Sequence, residues 1–261
     1  MIPNDHAIFL FKFGEQKWID KLINGEVSFS SIGSFIEQAK VSKNDIQGDE
    51  FEGVFAKLNK NDQRINLMKQ KLKEDLEIIE EGDYVYLRRH SSKLIPVYCF
   101  YGYTIGNAIE ENDIKHEGKQ KLRLDFDERL YEGFSRTITV DNLVTYPFRF
   151  TQLHMQPWPF IIRIDKSCRL NNLEYEMKRI DYDTLKKKTF FIEPTDFYEE
   201  LFLKSSKYSY QHEVRIILRN KKLKDIFDRF NLEIPALNLD DYNKVHLKFY
   251  IEYYADIKTI D

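Results

Sequence analysis

The chain has 261 residues, 42% of them hydrophobic and 15% aromatic, with 40 basic against 43 acidic side chains and a net charge of -3. That much apolar material excludes intrinsic disorder and suits a single domain spanning residues 1–261, while the balanced charge excludes a global pull toward nucleic acid or an anionic membrane. Cys99 and Cys168, with no CxxC or Cys/His ligand spacing, exclude a disulfide scaffold and suit a reducing, cytoplasmic setting.

No apolar run reaches the roughly 18–20 residues of a membrane span, so no membrane partner is expected. The opening MIPNDHAIFLFKFGEQKW lacks the basic region and cleavage site of a secretory signal.

In chain order, His6–Phe13 is short, apolar and β-rich, and Trp18, Ile19, Leu22 and Ile23 follow at helical spacing. Asn24-Gly25 signals a turn, and Glu26–Ser31 a second strand with Val27 and Phe29 on one face. Ser34–Gly53 is polar and reads as a loop. Asn61–Glu81 carries apolar residues at 65, 68, 72, 76 and 79, the stripe of an amphipathic helix capped by Asn61 or Asp62 and ended by Gly82. This places a helical insertion at about residues 57–82.

Tyr84–Arg88 and Ile95–Tyr103 read as strands, the second apolar enough to be central in a sheet. Gly106–Lys119 is polar, a surface excursion, and Leu122–Phe126, Thr137–Val140 and Phe160–Ile164 are expected strands. The prolines and aromatics of Tyr146–Pro159 favour an irregular loop able to stack a planar ring. Leu173–Lys188 is helical in character, Asp196–Leu203 a short helix, Lys221–Leu232 a helix, and Lys244–Tyr254 a closing strand. The sum is an α+β fold with largely antiparallel sheets and peripheral helices.

The segment richest in chemistry is Tyr208–Ile217 (YSYQHEVRII). Read as one strand, it places Tyr208, Tyr210, His212, Val214 and Ile216 on a core face and Ser209, Gln211, Glu213, Arg215 and Ile217 on the other. The second face aligns an amide, a carboxylate and a guanidinium roughly 7 Å apart. A carboxylate on a rigid strand can accept a sugar hydroxyl's hydrogen bond and stabilise positive charge at the adjoining anomeric carbon. Gln211 could orient a nucleophile, and Arg215 could bind phosphate or keep Glu213 ionised. The plainer reading is a polar strand face in water.

Lys204 through Ile216 resembles the K-x-x-x-[WY]-x-[YF]-E-x-E-x-R-[IL] signature of the bacterial and phage family known as DUF2971, with Gln211 in place of its first Glu. Asp49-Glu50-Phe51-Glu52-Gly53 resembles that family's N-D-P-F-E-G element, and Val97-Tyr98-Cys99-Phe100 its central "CF" strand. The Gln211–Glu213 segment also resembles the [QE]-x-E element of ADP-ribosyltransferases.

The second resemblance implies an ADP-ribosyltransferase-like fold, NAD as the substrate, Glu213 as catalytic acid and Gln211 as the acceptor-orienting group. It further implies cofactor contacts for which Lys12 or His6, Ser28 or Ser30, and Tyr98 or Tyr101 are the available candidates, and Arg215, by its own chemistry, is a further candidate cofactor contact through phosphate. The implied activity is transfer of ADP-ribose to a protein or nucleic-acid acceptor by a toxin or antiviral defence effector. Two other classes stay open: an RNA-cleaving or nucleotide-processing effector, and a non-enzymatic interaction module. The six histidines lack metal-ligand spacing, so no metal is expected, and P-loop, Rossmann and hydrolase glycine motifs are absent.

Overall fold

The computed structural model describes residues 9–42, 49–104, 109–116, 119–127, 129–132, 138–140, 143–145, 150–195, 198–219, 229–246 and 250–256. It is a mixed α+β protein with mostly antiparallel sheets and few helices. The first half runs β1 (Phe9–Glu15), α1 (Gln16–Ile23), β2 (Glu26–Ser31), α2 (Ile32–Ser42), β3 (Val54–Asn59), α3 (Gln63–Leu72), β4 (Leu76–Glu81), β5 (Tyr84–Arg89), β6 (Pro96–Tyr103), β7 (Ile109–His116), β8 (Lys119–Asp125) and the single turn α4 (Arg129–Glu132). The second runs β9 (Ile138–Val140), β10 (Leu143–Thr145), β11 (Phe150–Met155), α5 (Pro157–Leu170), β12 (Glu174–Arg179), β13 (Phe190–Phe191), β14 (Glu213–Arg219), β15 (Arg229–Glu233), β16 (Tyr242–His246) and β17 (Tyr250–Asp256).

The main sheet is ordered β12-β14-β6-β1-β11-β16, with β2 joining β6 and carrying β15. Smaller sheets are β13-β3-β5-β4 and β17-β8-β7. On one face of the main sheet, Leu10, Phe29, Phe100, Val214 and Ile216 pack against Ile19 and Leu22 of α1 and Phe160 and Ile164 of α5. Each such aliphatic or aromatic side chain contributes about 1.5–3 kcal/mol by leaving water. The other face is aromatic: Phe11, Phe13, Tyr103, Phe126, Tyr208 and Tyr210 form one cluster, in which Phe11 meets Tyr103 edge-on at 84° and 5.4 Å.

One feature of β6 positions the site. Along one edge, Tyr103–Tyr101 pair with Phe9–Phe11 of β1, and pairing resumes only at Val97 and Pro96, with Ser30 and Ser31 of β2. Between them the sheet forks, and Tyr98–Phe100 border a gap where a strand would otherwise lie.

Several expected elements differ. Tyr208–Ile217 is not one strand: Ser206–Gln211 is a 3-10 helix, His212 adopts a left-handed conformation (φ 43°), and β14 begins at Glu213. Burial of Tyr208 and Tyr210 in the aromatic cluster outweighs their strand preference. His212 lies at this break, half-buried beside the Tyr103 ring. Phe160–Ile164 lies in a helix, because Pro157 starts α5 and Phe160, Ile164, Ser167 and Cys168 fall on one buried stripe. Residues 150–155 are a strand rather than part of an irregular loop; they contain no proline, and Pro157 falls just beyond the strand's end.

The Leu173–Lys188 stretch opens as strand β12, held by its pairing with β14. Within Ser34–Gly53, residues through Ser42 are helical. Asp62 does cap α3, accepting from the Arg64 N–H, but the helix stops at Leu72; Lys73 turns to φ 50° and β4 follows, so Gly82 sits in the β4–β5 turn. The stretch 57–82 is therefore half helix and half sheet. Gly106–Lys119 contains strand β7, Asp196–Leu203 contains the 3-10 turn Glu199–Phe202, and the end of Lys221–Leu232 is strand β15 paired with β2. His6, residues 146–149, Asp196 and 221–228 lie outside the described residues.

Candidate functional site: a charged cavity at the sheet fork

At the fork lies a cavity of about 260 Å³. Lys12, Ser30, Tyr98, Gln211, Glu213 and Arg215, the residues singled out from sequence, all border it, as do Ser28 and Tyr101. The three sequence landmarks, far apart in the chain, meet here: the Asp49–Gly53 segment through Glu52, the Val97–Phe100 strand, and Lys204–Arg215.

Each landmark is held by local structure. Asp49 closes a turn, its backbone carbonyl accepting from the Glu52 N–H (3.0 Å) and its carboxylate from the Phe51 N–H (3.1 Å) and, across the fold, the Ser205 N–H (2.9 Å). Buried Arg88 donates to the carbonyls of Glu50 and Glu52, both at 2.9 Å. Gly53 completes the turn at φ 73°. Glu213 lies opposite Tyr101, and Arg215 opposite Cys99, in the β14–β6 register. Because β14 starts after the left-handed His212, Glu213 is its first residue, with its N–H donated to the Tyr182 hydroxyl at 2.9 Å.

The side chains form a buried ring of alternating charge. Arg215 donates to Glu213 Oε1 from Nε and Nη2 (2.9 and 2.7 Å), to Glu52 from Nη1 and Nη2 (2.9 and 3.2 Å), and to the Leu201 carbonyl. Lys204 Nζ donates to Glu213 Oε2 at 2.7 Å and to Gln211 Oε1 at 2.9 Å, and stands 3.7 Å from Glu52. Glu52, Glu213 and Arg215 are each at most 5% exposed, so this is no water-facing strand surface. Such desolvation is tolerable only because each charge has opposite partners and oriented hydrogen bonds.

The two carboxylates are driven apart. Burial pushes Glu213 upward, but the Arg215 and Lys204 charges and the Cys99 thiol's hydrogen bond hold it well below the usual carboxylate range. For Glu52 burial prevails over the same cations and raises it. Burial also pushes the Cys99 thiol up to about 12, aided by the Glu213 charge, which makes it a poor nucleophile.

Lys12 crosses the fork. Its ammonium donates to the Cys99 carbonyl at 2.7 Å, on the unpaired stretch of the β6 edge, and lies 4.3 Å above the Tyr98 ring. Burial lowers its pKa, opposed by its interactions with Cys99 and the Glu213 carboxylate.

Chemically, the cavity offers a fixed anion at one wall, an ammonium across from it, serine hydroxyls on β2 and aromatic faces between. Sequence reasoning assigned no role to Glu52 or Lys204, although both lie in quoted motifs. Glu52 is 163 positions from the arginine it neutralises, and no local pattern reports that pairing. Among the described residues, no group of three His, Cys, Asp or Glu side chains could hold a metal ion, both cysteines are free thiols, and no helix is long and apolar enough to cross a membrane. No protein-family profile, curated protein or solved structure matches the chain.

Proposed function

We propose that the protein is an enzyme of the ADP-ribosyltransferase type that cleaves the N-glycosidic bond between nicotinamide and ribose in NAD, with Glu213 as the residue that stabilises the transition state. The observation that carries this reading is a buried Glu213 carboxylate, fixed by hydrogen bonds from Arg215 and Lys204, at the wall of a cavity in a forked sheet. Breaking that bond develops positive charge on the anomeric carbon and ring oxygen. A carboxylate kept anionic before the reaction needs no reorganisation to oppose that charge. Arg215 and Lys204 act through Glu213, fixing its orientation and its ionisation, and are positioning residues.

The cavity, at about 260 Å³, falls just below the roughly 300–1,000 Å³ of pockets that enclose drug-sized ligands. It suits the nicotinamide-ribose end of the dinucleotide, with Tyr98 and Phe100 as apolar walls and Lys12, Ser28 and Ser30 as polar contacts. Arg215, committed to two carboxylates, favours this reading over one in which it grips an RNA phosphate.

The test is nicotinamide release from NAD by the purified protein, compared with Glu213→Gln. The substitution is expected to lower kcat by about 10²–10³-fold, the usual effect of removing one preorganised electrostatic contact, with the thermal midpoint recorded to show that the variant is folded. Absence of NAD turnover by the wild-type protein, or equal rates for the two folded proteins, would overturn the proposal.

A further inference from the structure

We infer that the acceptor in this reaction is water, so that the protein is an NAD glycohydrolase rather than an enzyme that modifies a macromolecule. This rests on the proposed cleavage of NAD and concerns only what replaces nicotinamide.

The acceptor-side residue in this reading is Gln211, which lines the cavity two positions before Glu213. Its side chain is not on a surface that another protein or a nucleic acid could cover: Gln211 is 7% exposed and Glu213 5% exposed. The Gln211 amide is also fixed, its Oε1 accepting from Lys204 Nζ at 2.9 Å, and that ammonium is itself anchored on Glu213. Tyr208 and Tyr210 on the same 3-10 helix are packed into the aromatic cluster, so the segment that would have to open to admit a macromolecular side chain is part of the core. Access to the Gln211 amide therefore runs through the cavity of about 260 Å³ that it lines.

The chemistry balances with water alone. The bond between the anomeric carbon and the pyridinium nitrogen breaks, and its electron pair stays on nitrogen to give neutral nicotinamide. A water oxygen bonds to the anomeric carbon, and the proton that this water loses passes to solvent. The products are nicotinamide, free ADP-ribose and one proton, with no oxidant or further co-reactant.

The experiment incubates the full chain with NAD carrying a radiolabelled phosphate, alone and in a cell lysate, measuring nicotinamide, free ADP-ribose and label in acid-precipitable protein and nucleic acid. Equal amounts of nicotinamide and free ADP-ribose, with no precipitable label above that of a Glu213→Gln control, are expected. Nicotinamide release matched by precipitable label would overturn the water acceptor while leaving NAD cleavage in place. No nicotinamide release under either condition would overturn the NAD reading, and this inference with it.

Discussion

Arg215→Met tests the buried charge ring most directly. In the wild type Arg215 neutralises two carboxylates, Glu52 and Glu213, and all three residues are at most 5% exposed. Methionine keeps much of the stem's volume but leaves those carboxylates with Lys204 as the remaining cation of the ring, at 2.7 Å from one and 3.7 Å from the other. Breaking a buried pair by removing one partner costs about 3–5 kcal/mol, against a typical total of about 5–15 kcal/mol for a domain. For a chain of this size that lowers the thermal midpoint by about 10 °C.

The loss should also depend on pH. Burial already raises Glu52, and removal of Arg215 raises it further. Between the unfolded carboxylate pKa of about 4.3 and the raised folded value, the native state binds more protons, so stability falls as pH rises. The variant should therefore be closer to wild type at pH 5 than at pH 8, as read from urea midpoints. The double variant Arg215→Met/Glu52→Gln restores one anion facing one cation and should recover at least a third of the loss. A single variant within about 0.5 kcal/mol of wild type, the range of ordinary surface changes, or a double variant no more stable than the single one, would refute charge pairing as what holds the site.

Further outcomes follow from other parts of the fold. Gly25 holds φ 95°, and a Cβ there would stand 2.1 Å from the Ile234 carbonyl oxygen, so Gly25→Ala should destabilise by at least about 2 kcal/mol; an unchanged thermal midpoint would disprove the close approach. Glu77 is raised by burial but brought down to about 2 overall by hydrogen bonds from Arg88 and Lys93. Its contribution is present above the unfolded carboxylate pKa and lost as pH falls toward about 2. Because the group is partly in water, Glu77→Gln should cost only about 1 kcal/mol at pH 7, and the gap to wild type should narrow below pH 4.5; a gap of the same size at pH 7 and pH 3 would count against it. Glu213→Gln should remain folded while losing nicotinamide release, which a thermal melt run beside the activity assay distinguishes from unfolding.

Much of the site was legible in the chain. The Gln211, Glu213 and Arg215 spacing and the apolar strand around Cys99 could be read locally, from residue chemistry and hydrophobicity, whereas the Asp49–Gly53 segment stood out only through its resemblance to a family motif. The α+β class and the antiparallel sheets followed from alternation in segments such as Glu26–Ser31 and Tyr84–Arg88. Where reading failed, packing overruled local preference. Phe160–Ile164 has the β-branched content of a strand, but Pro157 and the buried stripe down to Cys168 make it helix. Tyr208–Gln211 alternates like a strand, yet burying both tyrosines in the aromatic cluster requires a 3-10 turn.

The sequence by itself determined which groups carry charge and which segments carry chemistry, since those depend on residue identity and nearest neighbours. Only the tertiary structure decided that these segments share one cavity, that Glu213 and Arg215 are buried rather than on a water-facing strand surface, and that Glu52 and Lys204 complete the ring. The physical reason is range. Hydrophobic alternation acts over a few residues, whereas the ring closes only through contacts such as that of Glu52 with Arg215, 163 positions apart in the chain.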